Sequence, residues 1–171
     1  MKKTIIAASL SVLLTGAAAF AQQMNPTPGC SASPAQLEAN KKVALEFFRP
    51  GADRLALADP SYKQHNPAFK KRAEENKVSD YEEFKAAFSG GRGGGRGPAT
   101  GPAPPPGNPL EVVTAECDIV TIVHKNYRQD PTAEPGKFYE AFTFDTFRIK
   151  DGKLVEHWDS AVINPPAPAG R

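Results

Sequence analysis

The sequence predicts an α+β domain, with helices in its first half and an antiparallel meander in its second. Three observations predict it. Apolar residues recur at helical spacing as far as residue 89, β-branched and aromatic runs fill residues 110–163, and Asp151-Gly152 marks a hairpin turn between two of those runs.

The first 21 residues, MKKTIIAASLSVLLTGAAAFA, read as a secretory signal peptide. Lys2 and Lys3 form a positive start, Ile5 to Leu14 an apolar stretch, and Ala19-Phe20-Ala21 a small-residue cleavage site. The apolar stretch is short for a membrane span, so the expectation is an exported, periplasmic or secreted protein. Cleavage removes two lysines and leaves 19 basic against 19 acidic residues. A formally neutral chain has no bulk attraction to nucleic acid or anionic membranes, and neither is expected as a partner. Roughly 150 residues are enough for one domain that encloses a small pocket.

Residues 22–32 read as a flexible tail. Ser33-Pro34-Ala35-Gln36 then carries the signals of a helix start: serine N-cap, proline at N1 and glutamine at N3. Leu37, Ala44, Leu45 and Phe48 continue at helical spacing until Arg49-Pro50-Gly51. A short helix is expected over 52–57. Ser79-Asp80-Tyr81-Glu82 is a second capping box, followed by the i, i+4 pair Phe84 and Phe88. Residues 89–109, SGGRGGGRGPATGPAPPPGNP, are low-complexity chain that cannot bury a core and read as an insert. Strands are expected over 110–115, 119–127, 138–149 and 154–163, with a tight turn at Glu116-Cys117-Asp118. Residues 33–163 thus form one domain interrupted by the insert, and 164–171 a C-terminal tail.

Cys30 and Cys117 are the two cysteines. In an oxidising compartment they suggest a disulfide; the alternative is two unpaired small residues, one of them in a tail.

The chemistry-bearing residues concentrate in two stretches. In LVEHWDSAV, alternation puts Val155, His157, Asp159 and Ala161 on one face, and Leu154, Glu156, Trp158 and Ser160 on the other. If the first set faces a pocket, an acid and a base stand together in apolar surroundings, where a desolvated carboxylate is a stronger base. If the second does, Glu156 and Trp158 line the pocket and the His–Asp pair is a solvated face. In YKQHNP (62–67), Tyr62 and His65 are candidate donors to a substrate oxygen; the plainer role for His65 is to pin its own loop. His124 ends the apolar alternation Val120, Ile122, and reads either as the polar end of a pocket or as a satisfied histidine at a strand edge. No HxH, HxxxH or His/Cys cluster exists, so no metal is expected. There is no G-x-S-x-G, dinucleotide fingerprint or P-loop, and GGRGGGRG lacks the Lys-Ser/Thr that would make it one.

The order of elements resembles the nuclear transport factor 2-like fold and, more narrowly, the SnoaL-like polyketide cyclases. YKQHNP, the helix ending in Phe88, DIVTIVHKNY (118–127) and FDTFRIKDGKLVEHWDSA (144–161) carry the resemblance. It implies a curved antiparallel sheet wrapped around helices, a cone with an apolar cavity for a small organic ligand, and pairing of two copies through the sheet. It also implies cofactor-free acid–base chemistry on a carbonyl compound, with Asp159 the closest match to an aspartate base. His157 and His65 would assist, and Tyr62, His124 and Trp158 would contact substrate. A non-catalytic ligand-binding or dimerisation module of the same fold is the rival expectation.

Overall fold

The computed structural model describes residues 25–89 and 110–159. The expected signal peptide, almost all of the Gly/Pro-rich insert and the expected C-terminal tail lie outside the described residues.

The first helix, α1 (Pro34–Glu46), begins as the sequence predicts: Ser33 Oγ accepts from the Gln36 N–H at 3.2 Å, with Pro34 in the first turn. Only half of the capping box forms, because the Gln36 amide donates forward to Asn40 Oδ1. Arg54–Leu57 is the short helix α2, capped by Asp53, which accepts from the Ala56 N–H. Strand β1 (Ala58–Gln64) follows directly and was not anticipated. Asp59-Pro60 argues against a central strand, but β1 is the edge strand of the sheet and its register breaks between Ala58 and Lys63. A proline is tolerated at such a place because no ladder donor is lost.

Helix α3 (Pro67–Asn76) was likewise unforeseen. Asn66-Pro67 is its start signal, with Asn66 Oδ1 accepting from the Phe69 N–H at 2.9 Å and Pro67 in the first turn. Helix α4 (Asp80–Ser89) starts where expected, with Ser79 Oγ accepting from the Glu82 N–H. Beyond the insert come β2 (Leu110–Glu116), β3 (Ile119–Gln129), β4 (Phe138–Lys150) and β5 (Lys153–Asp159). The β2–β3 turn places Cys117 at φ 54°, and the β4–β5 hairpin places Asp151 and Gly152 at φ 51° and 73°. That is the left-handed pair a two-residue hairpin requires.

The five strands form one sheet in the order β1-β5-β4-β3-β2, antiparallel throughout except for the parallel β1–β5 edge. The helices pack on one face of it, as the α+β expectation holds. Phe47, Phe69 and Phe84 from the helical side meet Val120, Ile122, Phe147, Ile149 and Leu154 from the sheet. Cys30 and Cys117 form a disulfide with their Cα atoms 6.0 Å apart, which ties the segment before α1 to the β2–β3 turn. The buried Asn40 amide donates to the Cys117 carbonyl at 2.8 Å, and Thr27 donates through its N–H and hydroxyl to Asp118.

One departure from simple alternation decides the facing of β5. Arg148 pairs with Glu156 and Ile149 with Leu154, so Val155 is an extra residue, a bulge. Alternation had put Leu154 and His157 on opposite faces. The bulge brings them to the same one: Leu154 lies in the core beside Ile149, and His157 stacks on Phe147.

Candidate active site

A cavity of about 470 Å³ lies between the helices and the β1–β5 edge of the sheet. Phe47, Phe69, Phe84 and Phe88 supply its aromatic walls. Its polar residues come from two short stretches that the parallel β1–β5 pairing sets side by side: Tyr62, Gln64 and Asn66 from one, His157 and Asp159 from the other. Gln64 and His157 are direct register partners. Arg72 and Glu83 complete the lining, with the Arg72 Nε donating to Glu83 Oε1 at 2.9 Å. Asn76 donates to the second Glu83 oxygen, so that buried carboxylate is partnered at both ends.

His157 is the hub. Its ring is buried, stacked on Phe147 with centroids 4.3 Å apart and planes 10° from parallel. Nε2 faces Asp145 Oδ1 at 3.0 Å, while Nδ1 faces Gln64 Nε2 at 3.0 Å and the Tyr62 hydroxyl at 3.3 Å. Asp145 reaches it because β4 and β5 pair Asp145 with Asp159 and Phe147 with His157, which puts all four on the helical face of the sheet. Asp159 accepts from Asn66 Nδ2 through both oxygens, at 2.9 and 3.0 Å.

Tyr62 is 3% exposed. Burial, and then the nearby charges of Asp159, Asp80 and Asp145, push its phenol far above the ordinary tyrosine range. At any physiological pH it is therefore a neutral O–H, able to donate to an oxygen that gains negative charge.

Three of the expected site residues, His65, Trp158 and His124, do not line the cavity. His65 does not enter the cavity. It lies on the other face of the sheet, stacked on Trp158 (centroids 4.5 Å apart, planes 4° from parallel) with Nε2 3.1 Å from Glu156. Trp158 shares that face, under the Arg148 guanidinium. Both follow from the alternation of extended chain, which turns Tyr62, Gln64 and Asn66, and His157 and Asp159, to the cavity, and the residues between Gln64 and Asn66 and between His157 and Asp159 outward. His124 is on the cavity side of the sheet and buried, but it packs edge-on against Phe48 at 4.5 Å and does not line the cavity. Neither of its ring nitrogens has a hydrogen-bond partner among the described residues.

Gln64, Asn66 and Asp145 were missed. The signal for Gln64 was present, since counting by two from Tyr62 lands on it. The signal for Asp145 was an acidic residue set among aromatics in FDTF; its meaning depends on the β4–β5 register.

Asp145, His157 and Asp159 bring one ligand atom each within 4.8 Å of one another. A metal ion could use His157 only through a ring nitrogen that carries no proton. Cys30, Cys117 and Asp118 also cluster, but the two thiols are spent in the disulfide.

No protein-family model matches the chain, and no curated protein matches it. Among solved structures it is similar to proteins of the nuclear transport factor 2-like and SnoaL-like kind. A candidate SnoaL-like polyketide cyclase from Jannaschia sp. CCS1 is 18% identical over 77% of this chain and 92% of that one, with a TM-score of 0.42. A nuclear transport factor 2-like protein of unknown function from Burkholderia pseudomallei K96243 is 10% identical over 72% and 91%, with a TM-score of 0.44. TerC, co-crystallised with polyporic acid, is 13% identical over 72% and 92%, with a TM-score of 0.44. Likenesses this distant assign no role to any residue, and the chemistry rests on the geometry of the site itself.

Proposed function

We propose that this is an exported protein that takes a small, largely apolar carbonyl compound into the cavity and moves a proton at the carbon beside the carbonyl, without a cofactor. Asp159 accepts that proton. The C–H electron pair moves into the carbonyl to give an enolate, and the neutral Tyr62 hydroxyl donates a hydrogen bond to its oxygen. Return of the proton to another carbon is isomerisation; attack of the enolate carbon on a second carbonyl, with protonation of the resulting alkoxide, is aldol-type cyclisation. One observation carries the reading: a carboxylate held by an amide and a phenol kept protonated by burial line one cavity whose walls are aromatic.

The test is hydrogen–deuterium exchange at the α-carbons of a panel of aromatic ketones in D2O, followed by NMR. Asp159→Asn is expected to lower the protein-dependent exchange by on the order of 10²-fold or more, as loss of a general base does. The thermal midpoint should barely move, because the Asn66 amide keeps an oxygen to donate to. Exchange at the native rate in that variant would remove Asp159 from the role.

The outer face of the sheet favours a second element of the reading, pairing of two copies. Val112, Val123 and Phe144 stand in one row across β2, β3 and β4, with Phe142 beside them, and Val112, Phe142 and Phe144 are each about half exposed. An apolar row of this kind on an otherwise polar sheet face is the mark of a contact surface, and a second copy presents the same row to it. A binding cup that pairs in this way and does no chemistry is the alternative, and the exchange measurement separates the two.

A further inference from the structure

The proton on a histidine ring is placed by its hydrogen-bond partners, and here those partners are themselves fixed. Gln64 Oε1 accepts two backbone N–H groups, from His65 at 2.8 Å and Asn66 at 3.1 Å. Turning the amide over would set its NH2 against both donors, so the amide has one orientation. Its Nε2 therefore points into the cavity, 3.0 Å from His157 Nδ1 and 3.2 Å from the Tyr62 oxygen. A side-chain NH2 donates and cannot accept. His157 Nδ1 must consequently be the bare nitrogen, and Nε2 carries the proton that it donates to Asp145 at 3.0 Å.

We infer that Gln64 is a positioning residue that locks His157 in the Nε2–H form and thereby frees the Tyr62 proton for the ligand. Nδ1 has a single lone pair, and the Gln64 amide occupies it at the shorter distance, 3.0 Å against 3.3 Å for the Tyr62 hydroxyl. The second Gln64 N–H lies on the Tyr62 oxygen, so that oxygen already accepts and its own hydrogen is turned to the cavity. The neighbouring amide repeats the device. Asn66 Oδ1 is committed to capping α3, so its NH2 must face Asp159. The segment Gln64-His65-Asn66 thus spends two side-chain oxygens on neighbouring backbone N–H groups and aims two NH2 groups at His157 and Asp159.

The inference rests on the same cavity as the proposed reaction, but its test involves no turnover. Long-range proton–nitrogen correlation NMR on the chain at neutral pH, with His157 assigned by the signals lost in His157→Asn, distinguishes a protonated ring nitrogen from a bare one. The native chain is expected to show protonated Nε2 and bare Nδ1. Gln64→Glu offers Nδ1 only acceptors, and the bare-Nδ1 signal should be lost. Asp145→Asn leaves Gln64 in place, and the native pattern should persist. A protonated Nδ1 in the native chain overturns the inference whatever the variants do. A bare Nδ1 surviving in folded Gln64→Glu, or a proton moving to Nδ1 in Asp145→Asn, also overturns it, the last by making Asp145 the residue that selects the form.

Discussion

At the residue scale, the chemistry of the cavity depends on which hydrogen each polar atom holds. Tyr62 matters because it stays neutral, and burial together with three nearby carboxylates keeps it so. Its folded value lies above the unfolded one of about 10, so the stability it contributes is present below that pH and is lost as the pH rises past it. Absorbance titration should therefore show Tyr62 ionising only with unfolding, its signal identified by what is lost in Tyr62→Phe. A Tyr62 signal that titrates while the chain is still folded would contradict the burial argument. Tyr62→Phe keeps the ring in its contact with Phe84 at 4.8 Å and removes only the donor. The protein-dependent ketone exchange should fall by roughly 10²- to 10³-fold, as loss of one oxyanion donor does. A native exchange rate would mean that the oxygen is stabilised elsewhere.

At the element scale, the segment before α1 and the β2–β3 turn act as a strap. The disulfide closes a loop of 87 residues, which the chain-entropy account values at about 4–5 kcal/mol. Replacing Cys30 and Cys117 by serine together should lower the unfolding free energy in urea by about 2–5 kcal/mol; a loss under 1 kcal/mol would show that the fold holds the turn without it. Asp118 is the polar half of the same strap. Burial raises its carboxyl, but the Thr27 hydroxyl and N–H and the Arg148 guanidinium outweigh that and hold it below the usual range. A depressed folded value means that the stabilisation is present above the unfolded value of roughly 3.9 and is lost as the pH falls below it. Between pH 6 and pH 3 the native chain should lose more stability than Asp118→Asn. Parallel curves for the two would show that the strap does not sense acid. Across the sheet, Arg148 continues from Asp118 to Glu156, and Glu156 to His65. The structure thus gives His65 a partner and a stacking platform on the outer face, which accounts for its partial burial without any part in the cavity.

At the scale of the whole molecule, the two faces of the sheet have separate tasks. The helical face carries the core and the cavity; the outer face carries the His65–Trp158 stack at one edge and the apolar row of Val112, Val123 and Phe144 toward the other. Sedimentation of the native chain is expected to give twice the monomer mass, and Phe144→Glu the monomer mass, with no change in ketone exchange. A native chain that sediments as a monomer at all accessible concentrations would leave the apolar row without its proposed occupant. No helix among the described residues is long and apolar enough to cross a membrane, and the disulfide suits an oxidising compartment.

What the sequence determined by itself were the features encoded over a few neighbouring residues. Ser33-Pro34, Ser79 and Asp151-Gly152 announced two helix starts and a hairpin because caps and left-handed turns are local chemistry, and alternation correctly kept His157 and Asp159 on one face. Even the missed α3 was locally encoded in Asn66-Pro67. Tertiary structure alone decided the rest. β1 exists despite Asp59-Pro60 because it adds to the edge of a sheet formed by residues almost a hundred positions later, and a bulge at Val155 turned Leu154 to the side of His157. Asp145 became a partner of His157, and Gln64 displaced His65 from the cavity, through register and parallel pairing. Those are relations between strands distant in the chain, and no window of sequence contains both halves of such a relation.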